Sequence, residues 1–89
     1  MAKVKNILRH QHSDVPHGFD SWKDFWERRT NRQFASCSRV DCFNKASTGM
    51  PVRHEHIAYP VYVIPLCVHC SHPSNGDTYE IVDRNLVKL

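Results

Sequence analysis

The chain has 89 residues, with twelve Lys and Arg against nine Asp and Glu, for a formal charge of +3. A chain of this size makes one domain at most and buries only about 60–65% of its unfolded surface, so its core needs a staple. No apolar run approaches the roughly 18 residues of a membrane span, and the charge is too modest for a strongly basic nucleic-acid footprint.

The segment MAKVKNILRHQH is positively charged but has neither the apolar stretch nor the small-residue cleavage site of a secretory signal. A cytoplasmic location is expected, where disulfides rarely persist, and the staple is then a metal. Residues 1–18 carry a short apolar patch (Val4, Ile7, Leu8) followed by RHQHSDVPHG, broken by Pro16 and Gly18. They read as a flexible or loosely docked arm, with His10, His12 and His17 as exposed polar residues. Residues 19–89 read as a single zinc-binding domain.

A helix is predicted over about 20–33. Asp20 or Ser21 caps it, Asp24 and Glu27 occupy its early turns, and Arg28, Arg29 and Arg32 complement the negative end of its dipole. Phe19, Trp22, Phe25 and Trp26 recur at helical spacing and are expected in the core, packed over the metal-bound part. After Gln33 the Ser-rich stretches ASCSRVDC and KASTG are loop-like. PVRHEHIAYPVYVIPL is rich in β-branched and aromatic residues and punctuated by Pro51, Pro60 and Pro65. Two short strands, 52–57 and 61–64, are expected there, then a turn at HPSNGD and further strands at 78–82 and 86–89. The fold class is a small α+β domain, one helix plus short antiparallel strands around a four-cysteine zinc site, of treble-clef or zinc-ribbon type.

Four cysteines carry the chemistry. Four residues separate Cys37 from Cys42, two separate Cys67 from Cys70, and twenty-four lie between the pairs. Two close pairs deliver four soft ligands from two tight turns, which suits one tetrahedral zinc ion. Two competing readings are a redox Cys-x-x-Cys, which lacks a βαβ context, and disulfides, which suit the compartment poorly. His54, His56 or His72 stays open as a replacement for one cysteine, or as part of a second metal site. His69, inside the second turn, is expected to face solvent.

Cys37-x4-Cys42, then Ala46, Glu55-His56-Ile57 and Pro65-Leu66-Cys67-x2-Cys70 resemble the zinc-bearing version of the HNH endonuclease motif, a treble-clef finger. The resemblance covers residues 37–72. It implies a structural zinc on the four cysteines, His56 as the water-activating base and Glu55 as a ligand of a catalytic divalent metal. The sequence departs from that motif in four places, the first being the apolar IAYPVYVI where the family has a Gly-rich loop. Tyr62 stands where the family has Asn, Ser71 follows the last cysteine and displaces His72 by one, and Pro73, Asn75 and Gly76 allow little helix after Cys70. The scaffold is retained and most of the active site is not.

The preferred reading is therefore a non-catalytic zinc-stapled domain that binds a macromolecule, protein or nucleic acid. Arg28, Arg29, Arg32, Arg39, Lys45 and Arg53 form its candidate surface, and no small-molecule substrate is evident. The alternative is a metal-dependent HNH-type nuclease working through His56, Glu55 and His72. A third reading is a small inhibitor or accessory protein.

Overall fold

The computed structural model describes residues 2–7, 15–57, 60–71 and 78–89. In chain order the elements are β1 (Ala2–Asn6), α1 (Trp22–Thr30), β2 (Thr48–His54), β3 (Tyr62–Leu66), β4 (Thr78–Ile81), a 3-10 turn (Asp83–Asn85) and β5 (Val87–Lys88). The strands form one antiparallel sheet in the order β4-β1-β2-β3-β5.

Residues 2–7 differ from the expected arm. They form β1, which lies between β2 and β4 with Val4 fully buried. The physical reason is in AKVKN itself, whose alternation sends Val4 and Asn6 to one face of the sheet and Lys3 and Lys5 to the other. Residues 1 and 8–14 of that expectation, with His10 and His12, lie outside the described residues, and His17 is exposed as expected.

The strand over 52–57 is also redrawn. β2 begins at Thr48 and passes through Pro51, although it is paired on both sides. Proline is tolerated because the β1 pairing has ended there: the last partners are Asn6 and Val52, and the Pro51 carbonyl accepts from Ile7 N–H at 3.0 Å. Pro65 likewise sits on the outer edge of β3, where its carbonyl accepts from Ser38 N–H at 2.9 Å.

Ser38 links the two halves of the sheet. Beyond its bond to β3, its own carbonyl accepts from Val82 N–H at 3.0 Å, just after β4, and Val40 N–H donates to Glu80 at 3.0 Å. One segment thus bridges the free edges of β3 and β4, curling the sheet toward closure. Ser38 is fully buried, and its hydroxyl accepts from the Asn85 side chain at 3.0 Å, so no polar group is stranded at the seam.

The helix is capped as expected. The Ser21 hydroxyl accepts from Asp24 N–H at 3.0 Å, and Asn31, with φ of 57°, ends α1 in the left-handed conformation three residues before Phe34. Its aromatic stripe is core, but not over the cysteines. Phe25 and Trp26 pack with Val63 and Val87 on one face of the sheet, whereas the cysteines cluster with Val4, Val52, Ile64, Leu66, Tyr79 and Ile81 on the other. Strand alternation divides β3 in this way, Val63 toward the helix and Ile64 and Leu66 toward the cysteines. Gly49 permits the close approach of α1, since a Cβ there would lie 2.7 Å from the backbone of Trp22. The Trp26 indole N–H donates to the Asn85 carbonyl at 2.9 Å, anchoring the helix to the 3-10 turn.

Trp26 is 2% exposed, while Trp22 is half-buried. Trp26→Ala is expected to cost about 3–5 kcal/mol and Trp22→Ala distinctly less. Denaturant unfolding followed by circular dichroism checks this, and equal effects would show that the helix is not seated by Trp26.

Candidate metal centre

The first cysteine pair lies on a loop closed at its base, where Ser36 bridges Lys45 and Ala46 N–H donates to Ala35 at 2.9 Å. The second pair follows directly from β3 in a tight turn, with Ser71 N–H donating to Cys67 at 3.1 Å. The two loops bracket the β2–β3 hairpin, so the hairpin register brings together cysteines remote in sequence.

The four thiols converge, their sulfur atoms all lying within 4.8 Å of one another. Cys42 and Cys67 are 3.7 Å apart, close to the roughly 3.8 Å between vertices of a tetrahedron with metal–sulfur bonds of about 2.3 Å. Cys37, Cys67 and Cys70 are buried and Cys42 is half-buried. This cluster can hold a metal ion, and its donor set is all thiol, with no histidine among the four.

The surroundings are polarised. Burial raises the Cys67 thiol, but the Cys70 N–H at 3.5 Å, the neighbouring thiols and the Asn44 amide at 3.8 Å outweigh it and bring it down to about 6. Burial, then hydrogen bonding to Cys67 and Cys37, pushes Cys70 well above the ordinary thiol range. Burial also raises Cys37. At neutral pH the metal-free cluster therefore holds protons on Cys37 and Cys70 that a metal must displace.

Two residues that the sequence reading did not single out hold the second turn in place. Asn6, 6% exposed, donates from its side-chain amide to the Cys70 carbonyl at 3.0 Å and accepts from the Tyr79 hydroxyl. Tyr79 is itself 4% exposed, and burial pushes its hydroxyl well above the usual phenol range. The Arg39 guanidinium lies 5.4 Å from the centre of its ring and is paired with Asp41 at 2.7 Å. In the sequence, the signal was the polar Asn6 on the apolar side of an alternating strand.

The other candidate residues are dispersed. Glu55 and His56 stand in the turn after β2, 3.6 Å apart, with His56 strongly exposed. Because β2 ends at His54, His54 and His56 do not share a strand face. His54 is instead half-buried against Tyr62, ring edge to ring face at 5.3 Å. His69 is exposed, and His72 lies outside the described residues. Arg28, Arg29 and Arg32 cover the aromatic rings of Phe19, Phe25 and Trp26 at 4.7, 5.2 and 4.9 Å. Arg32 also donates to the Arg84 carbonyl at 2.8 Å. Arg53 lies on the helix side of the sheet, whereas Arg39 and Lys45 belong to the first cysteine loop. The six basic residues are thus divided between the two faces rather than gathered into one patch.

No protein-family model matches the chain, and no curated protein or solved structure matches it either.

Two measurements follow from this geometry. Asn6→Ala is expected to weaken metal binding about 10–100-fold, and Tyr79→Phe to destabilise by about 1–3 kcal/mol through the unpaired Asn6 oxygen. Competition with a coloured chelator reads the first and thermal unfolding the second; unchanged values would show that the second turn holds itself. Lowering the pH favours the protonated thiols and so releases metal. With more than one proton displaced, affinity should fall by more than about tenfold per pH unit below neutrality, as followed by the thiolate-to-cobalt absorption of the Co²⁺-substituted chain.

Proposed function

We propose that Cys37, Cys42, Cys67 and Cys70 hold one structural zinc ion, and that the chain is a non-catalytic zinc-stapled module that binds a macromolecule in a reducing compartment. The observation that carries this is the closed donor set: four thiols within 4.8 Å of one another, one pair at 3.7 Å, would fill every position of a tetrahedral ion and leave no place for a water or substrate. Iron also accepts four thiolates, so metal identity is part of the test. The order of loop, hairpin and loop supports a treble-clef-like arrangement, although no α-helix follows Cys70 among the described residues.

Elemental analysis of the native protein should give one zinc per chain. Removing it with a strong chelator should unfold the chain in circular dichroism, because a core this small depends on its staple. A metal-free chain that stays folded, or a native Cys67–Cys70 disulfide, would refute the structural-zinc reading.

Glu55 beside His56 is the one observation that favours the HNH-type nuclease, with His56 as base and Glu55 as ligand. A base alone supplies about 10²–10⁴-fold of rate, and phosphodiester hydrolysis also needs a divalent ion held in fixed geometry. Glu55, half-buried, and His56, exposed, provide two donors at most. Incubation with plasmid DNA and Mg²⁺, Mn²⁺ or Ni²⁺ is expected to give no cleavage above background. Metal-dependent nicking that His56→Ala abolishes, with zinc still bound, would make the nuclease the better reading.

A further inference from the structure

The sheet register places like charges side by side. Lys5 of β1 stands directly opposite Arg53 of β2, and on its other side Lys5 faces Thr78 of β4, which carries no charge. Lys3 points to the same face two residues along, opposite Glu80. Like charges at directly opposed positions destabilise a sheet. Among the described residues no carboxylate pairs with Lys3, Lys5 or Arg53 within ion-pair distance. Arg53 is held in place from behind, one of its guanidinium nitrogens donating to the His54 and Glu55 carbonyls at 3.3 and 3.4 Å. Its remaining N–H groups can serve an external acceptor.

Among the described residues, solvent reaches this face where the charges lie. Helix α1 packs against β2, β3 and β5, Lys3 is exposed, and Lys5 and Arg53 are half-buried. The cysteine cluster lies on the opposite face, and four thiolates around a divalent ion leave about two negative charges there. An anionic partner is therefore disfavoured on the metal side and attracted at Lys5 and Arg53 on the other.

We propose that Lys3, Lys5 and Arg53 form a docking strip for the phosphate backbone of a nucleic acid strand. This deepens the macromolecule-binding reading above and rests on it. Spacing favours a chain of phosphates over a single phosphate group. Opposed side chains on neighbouring strands start about 5 Å apart, close enough for Lys5 and Arg53 to bracket one phosphate. Lys3 lies about 7 Å further along the strand and reaches the next. The strip contacts backbone only, so binding should be largely independent of base sequence.

The test uses the full-length, metal-loaded protein with fluorescent single-stranded DNA and RNA oligonucleotides of mixed sequence, followed by anisotropy. Contact with two to three phosphates predicts a slope of about −1.5 to −2 in log K against log salt. Lys5→Glu combined with Arg53→Glu should weaken binding at least tenfold, and Lys5→Gln by a smaller factor. Metal content and circular dichroism on each variant confirm that it is folded. Phe43→Ala, which alters the apolar side chain 93% exposed on the first cysteine loop, should leave binding unchanged, and inorganic phosphate at matched ionic strength should not displace the oligonucleotide. Binding that survives the double charge reversal, or that Phe43→Ala abolishes, would place the surface elsewhere and overturn the proposal. Displacement by inorganic phosphate would replace the strand with a single-phosphate ligand and overturn it too. Zinc-loaded, folded wild type that shows no salt-dependent binding overturns the strip while leaving the structural zinc intact; loss of the zinc itself in that sample would instead point to failure of the reading beneath it.

Discussion

Four buried or half-buried sulfur atoms within 4.8 Å of one another are the constraint on which the rest of the molecule depends. As thiolates they repel, and as thiols they leave weak polar groups in an apolar setting; a bound cation would relieve both. Holding them there requires that the loop before β2 and the turn after β3 meet, which fixes the hairpin register between them. The same loop carries Ser38, through which the edges of β3 and β4 are bridged. Convergence of the cysteines and closure of the sheet are therefore one structural event, because Cys37 and Ser38 are neighbours in the chain.

The sheet separates two tasks. Its cysteine side holds Val4, Val52, Ile64, Leu66 and Ile81 around the sulfurs, and its helix side holds Phe25 and Trp26 on Val63 and Val87. Neither cluster is large. Each is completed by a polar anchor: the Asn6–Tyr79 pair under Cys70, and the Trp26 indole on Asn85. Asn85 reaches both sides, since its carbonyl receives Trp26 and its amide reaches Ser38 at the seam. The 3-10 turn that carries it is thus a mechanical link between the helix and the closure of the sheet.

This arrangement reassigns the basic residues. Arginines on a surface helix read as a candidate binding face, but three of them lie over aromatic rings, where a guanidinium shields apolar surface and gains a cation–π contact. Arg39 is likewise occupied by Tyr79 and Asp41. Lys3 and Lys5 have no such ring or carboxylate partner among the described residues, and they sit on β1, whose strand character the sequence reading had not recognised, beside Arg53 of β2.

The sequence by itself determined the helix, its cap at Asp20 or Ser21, its aromatic core positions and the four candidate ligands. These are local matters: cap chemistry, a 3.6-residue period, and cysteines spaced as turns require. Tertiary structure decided what depended on pairing across distance. β1 is a short strand of mixed character that becomes stable only between β2 and β4, so five residues in isolation could not announce it. Pro51 argued for a break in the strand, yet the break disappears once the β1 ladder ends one residue short of it. The side on which the helix packs follows from strand alternation combined with register, and register is set by the hairpin between the cysteine pairs. Asn6 and Tyr79 lie seventy-three positions apart, and the contact that makes them supports of the metal centre exists only in the folded sheet.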